Sequence, residues 1–137
     1  MAESAGRGAG LGIVGYDAYE FVVADLERSR RFYTGMMDVP EVARLGERAA
    51  AASGEESVLF AAGKARCLCV SPRERGSAAE RWLARHPDGV RRIGFRVRDA
   101  ARARALLGER GATFTSELVE ASDGQGRPYR SFDIATP

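Results

Sequence analysis

Hydrophobic and polar residues alternate at period two in several short runs of this chain, and two of those runs lead into stretches with helical spacing. Phe21 and Val23, and later Ile93, Phe95 and Val97, mark strands at residues 16–24 and 91–98, each with one buried face. Asp25 and Asp99 stand where these strands give way to helices at residues 26–35 and 100–109. Their carboxylates can accept from the free amides of the first helical turn and favour the positive end of the helix dipole, for about 1 kcal/mol per helix. After the first helix the pattern predicts strands near residues 41–48, 57–62 and 65–71, with a tight turn at Gly63-Lys64 and a small, polar, mobile loop over residues 49–57. Ser77-Ala78-Ala79-Glu80 has the form of a capping box. It opens a connector helix that carries Trp82 and Leu83 towards the core, until His86-Pro87-Asp88-Gly89 breaks it. The second helix leads to strands at 112–120 and 129–135 around an Asp123-Gly124-Gln125-Gly126 turn. The fold class expected is α+β, with two curved sheets and helices outside.

The order of elements conceals a duplication. Tyr19-Glu20-Phe21-Val22-Val23-Ala24-Asp25 lies over Ile93-Gly94-Phe95-Arg96-Val97-Arg98-Asp99, with Phe, Val and Asp coincident. The match runs on through the helices, Arg28 over Arg102, Arg30 over Arg104, and Phe32-Tyr33 over Leu106-Leu107. The ends of the two copies also correspond, Ala65-Arg66-Cys67-Leu68-Cys69-Val70 over Tyr129-Arg130-Ser131-Phe132-Asp133-Ile134. Each copy therefore reads as one βαβββ unit.

Composition narrows the function classes. At 137 residues, 45% hydrophobic and 29% charged, the chain can build an ordinary globular core. No apolar run approaches the roughly 20 residues of a membrane span, so no membrane partner is expected. The first dozen residues lack the apolar core of a secretory signal, which points to the cytoplasm. The 21 basic and 19 acidic residues are interspersed and give a net charge of +2, without the basic stripe that nucleic acid demands. Cys67 and Cys69 sit two apart on one strand, poor geometry for a disulfide, and are expected as buried reduced thiols. Gly8-Ala9-Gly10-Leu11-Gly12 precedes the first strand instead of following one, so it is a flexible terminus and not a dinucleotide loop.

A duplicated βαβββ unit with Phe-x-Val-x-Asp before a helix ending in Phe32-Tyr33 resembles the vicinal oxygen chelate superfamily, which includes glyoxalase I, extradiol dioxygenases and bleomycin-resistance proteins. Three segments narrow the resemblance: Val14-Gly15-Tyr16-Asp17-Ala18-Tyr19-Glu20-Phe21, Ala84-Arg85-His86-Pro87-Asp88-Gly89-Val90-Arg91-Arg92-Ile93-Gly94-Phe95, and Ser131-Phe132-Asp133-Ile134-Ala135-Thr136. They are similar to the N-terminal half of 4-hydroxyphenylpyruvate dioxygenases and 4-hydroxymandelate synthases. The resemblance implies two such domains in tandem, with Fe(II) in the second, held by two histidines and a glutamate. On this basis residues 1–12 are a flexible terminus and residues 13–137 one glyoxalase-like domain. Its first module covers about 13–72, its connector helix about 77–86 and its second module about 89–137. The domain is expected to be inactive and cofactor-free by itself, to pack on a C-terminal catalytic domain absent from this chain, and to join a homo-oligomer. The alternative is a stand-alone, metal-free binding module of the bleomycin-resistance type.

The resemblance also locates four positions at which metal-binding members place ligands. The usual histidine positions, seven residues before Asp25 and Asp99, fall on Ala18 and Arg92, and the closing-strand positions fall on Cys69 and Asp133. Alanine offers no donor atom and arginine carries a fixed positive charge, whereas iron and its neighbours want imidazole and carboxylate. With one histidine in the chain, His86, a triad of two histidines and a carboxylate cannot be assembled. No catalytic, cofactor or metal residue is therefore expected, and Ala18, Glu20, Cys69, Arg92 and Asp133 are the cleft-lining candidates. A buried guanidinium needs a carboxylate, so Arg92 is expected to pair with Asp133 or Glu20.

Overall fold

The computed structural model describes residues 10–122 and 125–137. The chain divides into two compact units, one formed by Tyr16–Gly94 and the other by Met1–Gly15 with Phe95–Pro137. Strands β1 (Ile13–Val22) and β5 (Gly89–Val97) cross from one to the other. None of the described helices is long and apolar enough to cross a membrane.

In the unit Tyr16–Gly94, β1 is followed by helix α1 (Leu26–Arg30), which widens into a π-helical turn over Arg31–Met36. The Asp25 carboxylate accepts from the Arg28 amide at 3.0 Å, as the sequence predicts. The π turn is closed by the Met37 amide on the Phe32 carbonyl at 3.2 Å. Strand β2 is shorter than predicted, Glu41–Arg44. The segment expected to be a mobile loop is instead helix α2 (Glu47–Ser53). Its physical reason is the alanine run at residues 49–52, among the best helix formers. Gly54 in the left-handed region (φ 69°) then ends the helix, and the Gly54 carbonyl accepts from the Arg73 and Glu74 amides at 2.8 and 3.1 Å.

Strands β3 (Glu55–Ala62) and β4 (Ala65–Pro72) form a continuous antiparallel hairpin about the Gly63-Lys64 turn. β4 then pairs in parallel with β1, Phe21 beside Cys69 and Val22 beside Val70. The strand order of the five-stranded sheet is β2-β3-β4-β1-β5. Partners in register share a face, so the sheet has two distinct sides. On one, Val23, Val58, Phe60 and Cys69 form a buried cluster with Phe21, Leu26, Tyr33 and Val39 packed against it, beneath α1. On the other, Val22 and Val70 pack with Ala79, Trp82 and Leu83 of the connector helix α3 (Ala78–Leu83). Ser77 caps α3 by accepting from the Glu80 amide at 3.2 Å. The Glu80 carboxylate reaches back to the Gly76 amide, one residue earlier than the reciprocal arm of a capping box would.

In the second unit, helix α4 (Ala100–Glu109) has the predicted bounds and its Asp99 cap, which accepts from the Arg102 amide at 3.1 Å. The strands that follow are shorter than expected. Among the described residues β6 (Val119–Ser122) pairs with β7 (Pro128–Ser131), and a Phe114–Ile134 bridge joins the flanking segments. At the end of the would-be ladder the Asp133 amide donates to the Ser116 hydroxyl at 2.8 Å, a side-chain acceptor taking the place of a strand carbonyl. Arg104 lies over the Phe114 ring, 4.3 Å from its centroid, and pairs with Glu117. Of the predicted flexible terminus, residues 1–9 lie outside the described residues, while the Gly12 carbonyl accepts from the Arg98 amide at 2.9 Å. Asp123 and Gly124 of the predicted turn also lie outside them.

Candidate functional site

The alternation of β1 places Ala18, Glu20 and Val22 on the side of the sheet that faces α3, and Glu20 is only 7% exposed. A carboxylate withdrawn so far from water must be neutralised by direct partners. Two guanidinium groups from β5 do so. Arg91 Nε donates to Glu20 Oε1 at 2.6 Å, and Arg92 Nη1 donates to Glu20 Oε2 at 2.9 Å. Arg91 also reaches Glu55 at 3.4 Å, and the same Glu55 oxygen accepts from the Ala79 amide in the first turn of α3 at 2.8 Å. The cluster thus joins β1, β3, β5 and α3. Burial is the largest influence on Arg91 and works against its charge, but the Glu20 and Glu55 carboxylates outweigh it and hold the guanidinium above its ordinary pKa.

The expected pairing of Arg92 with a carboxylate is therefore met at Glu20. Beside it, β1 and β5 approach closely: a Cβ on Gly94 would come within 3.2 Å of the Ala18 carbonyl oxygen and 3.3 Å of Asp17 Cβ. Small residues at both positions let the two strands meet there.

Cys69 does not join this group. It is paired with Phe21 and wholly buried under α1, on the face opposite Glu20. Burial, and next the neighbouring Cys67, push its thiol up to about 11. Burial and the same two cysteines raise the Tyr33 hydroxyl well above its usual range. Asp133 belongs to the other unit, where its amide is held by Ser116 and its carbonyl accepts from the Thr115 amide at 3.0 Å. His86 is exposed and lies with its ring 4.6 Å from that of Trp82. Asp88, from the same connector, accepts from the Ala24 amide at 3.2 Å and so ties the connector to the end of β1.

These residues do not suit a divalent metal. Ala18 has no donor, Cys69 is on the wrong face, and both Glu20 oxygens are occupied by guanidinium. Among the described residues no group of three or more His, Cys, Asp or Glu side chains is arranged to hold a metal ion. A hollow of about 100 Å³ between α2 and β3 is ringed by charges such as Glu47 and Arg73, which pair at 2.5 Å. It is smaller than the roughly 300 Å³ at which small-molecule pockets begin.

Sequence reasoning missed Arg91 and Glu55. Glu55 fell in the stretch mistaken for a loop, and Arg91, next to Arg92 on β5, is expected from strand alternation to point to the other side. The signal that could have found them is the surplus of charge on two strands flanked by apolar residues.

The family model for the Glyoxalase/Bleomycin resistance protein/Dioxygenase superfamily matches residues 15–130. The chain belongs to this superfamily. Solved structures agree on the fold. Methylmalonyl-CoA epimerase from Mycobacterium tuberculosis superposes with a TM-score of 0.72 at 18% identity, over 89% of this chain and 80% of that one. A variant of the Streptomyces coelicolor methylmalonyl-CoA epimerase, in complex with 2-nitronate-propionyl-CoA, gives 0.71 at 16% identity, over 88% of each chain. A hypothetical protein from Bacillus halodurans C-125 gives 0.70 at 14%, over 89% of this chain and 95% of that one. No curated protein matches the sequence significantly. At these identities the superfamily members share a fold with this chain and nothing finer follows.

Proposed function

We propose that this domain is a non-catalytic, metal-free member of the superfamily, serving as the N-terminal half of an Fe(II)-dependent dioxygenase of the 4-hydroxyphenylpyruvate type. Its role is architectural: it packs against a C-terminal catalytic domain and takes part in a homo-oligomer. The observation that carries the reading is Arg92, at a position where the family resemblance expects a metal ligand, paired instead with the buried Glu20 that Arg91 also holds. A cluster of that kind braces strands and occupies both oxygens of Glu20 with guanidinium groups. The three segments around Glu20, His86-Pro87-Asp88-Gly89 and Asp133 support the narrower family.

Two experiments test the proposal separately. Titration with Fe(II) and an oxygen electrode test inactivity: no stoichiometric metal and no oxygen uptake with 4-hydroxyphenylpyruvate are expected, and either one overturns it. Sequencing the gene beyond the Pro137 codon tests the tandem arrangement. A frame running on into a second βαβββ pair with two histidines and a glutamate is expected. A stop codon there overturns the dioxygenase reading and leaves the binding module.

A further inference from the structure

Oxidisable side chains collect on one side of the sheet in the unit Tyr16–Gly94. Tyr19 and Cys67 are register partners on the parallel strands β1 and β4, so they stand side by side, on the same face as Phe21 and Cys69. The ring of Tyr16, 60% exposed, lies 5.6 Å from that of Tyr19, 36% exposed. Cys67 is half-buried and is also the register partner of Phe60, on which the Tyr33 ring is stacked. There the Tyr33 hydroxyl is a hydrogen-bond neighbour of both Cys67 and the wholly buried Cys69. Tyr16, Tyr19, Cys67, Tyr33 and Cys69 are thus an unbroken series of phenols and thiols that runs from solvent to the core. Trp82 packs on the opposite face, outside the series.

We propose that this series is a radical-transfer route, which draws an oxidising equivalent from exposed Tyr16 through Tyr19 to the thiol of Cys67. A small one-electron oxidant takes an electron from Tyr16 and becomes its anion, while the phenol proton goes to water. Tyr19 then supplies an electron across the ring contact. Tyr16 regains a proton from water, and Tyr19, also part-exposed, releases one. Cys67 repeats the step for Tyr19, so its proton passes to water and its sulfur is left as a thiyl radical. A soluble thiol gives that radical a hydrogen atom, like for like, which restores Cys67 and leaves the oxidising equivalent on the small thiol. Two such small radicals couple as a disulfide, and this drainage pulls the sequence forward. Tyr33 joins Cys67 to Cys69, which makes the buried sulfur a second station, shielded from solutes that attack exposed thiolates. The inference does not rest on the dioxygenase reading.

Pulse radiolysis of an azide solution supplies the azidyl radical as oxidant, with reduced glutathione present and oxygen removed. The background chain is Tyr129→Phe, which leaves Tyr16, Tyr19 and Tyr33 as its tyrosines. Its tyrosyl absorbance is expected to fall in a rapid phase whose rate does not depend on protein concentration. Tyr19→Phe and Cys67→Ala should each lose that phase and keep only the direct reduction by glutathione that all the chains share. Cys69→Val should retain it, because Cys67 is reached first. Tyr19→Phe removes one part-exposed hydroxyl, so it still decides the matter if Cys67→Ala fails to fold. A rapid phase that is absent from the background chain, unchanged in Tyr19→Phe or in folded Cys67→Ala, or lost in Cys69→Val overturns the proposal.

Discussion

The two faces of the sheet in the unit Tyr16–Gly94 are held by different physics. Beneath α1 the contact is dry and apolar, with Phe60 and Cys69 fully buried and the Tyr33 ring stacked 5.0 Å from that of Phe60. On the side of α3, a smaller apolar cluster gives way to four charged groups that pair with one another. The first face gains from every buried methylene and has no geometry to satisfy beyond packing. The second gains only while its partners are all present, since the cost of withdrawing a charge from water is offset by direct contact alone.

The sharpest test removes one contribution from each face. Phe60→Ala opens a cavity in the apolar cluster and should cost about 4 kcal/mol in urea denaturation, the usual cost of deleting a buried aromatic ring. Glu20→Gln keeps the shape on the other face but leaves Arg91 without its main partner, and should cost about 3 kcal/mol. The double replacement Glu20→Leu, Arg91→Met should recover most of that loss, since it removes both charges together. Arg92→Ala, half exposed, should cost under about 1 kcal/mol. If Glu20→Gln is as mild as Arg92→Ala, the charged face contributes no stability and the contrast between the faces fails.

The apolar face was legible in the sequence and the charged face only in part. Period two at Phe21 and Val23, with Asp25 as cap, is enough to place α1 over β1, because local pattern and local capping agree. Glu20 and Arg92 could be suggested as partners from strand parity, but Glu55 could not. It joins the cluster through the β3–β4 register, a long-range fact, after a helix hidden in an alanine run that reads equally well as a small-residue loop. Cys69 fails for a related reason. Aligning the two closing strands fixes its place along β4, whereas the face it occupies follows from its pairing with Phe21.

Alkaline titration separates the faces again. The Cys69 thiol titrates near 11 in the folded chain, raised from 9.0 chiefly by burial. A raised value means the native state holds its proton longer than the unfolded state does. The stabilisation is therefore complete below pH 9 and is lost as pH climbs from 9 through 11. The loss should be about 2 kcal/mol, read from urea midpoints across that window. Cys69→Val should flatten the profile, with Tyr33 contributing what remains. At pH 8 Cys69 should resist thiol reagents until the chain unfolds. Rapid labelling of Cys69 in the folded protein would show that the face under α1 is open to water.

A smaller effect than the loss at Cys69 is expected at the helix that closes the apolar face. Asp25→Ala removes the acceptor of the Arg28 amide and should cost about 1 kcal/mol, whereas Asp25→Asn, which keeps an acceptor, should cost far less. Because α1 has only five residues before it widens into the π turn, losing its cap should also loosen the packing of Tyr33 on Phe60. The charged face lies on the opposite side and shares no residue with this contact, so a double variant Asp25→Ala, Glu20→Gln should show additive losses within about 0.5 kcal/mol. Strong coupling between them would mean that the sheet transmits strain from one side to the other, and that its two faces do not act independently.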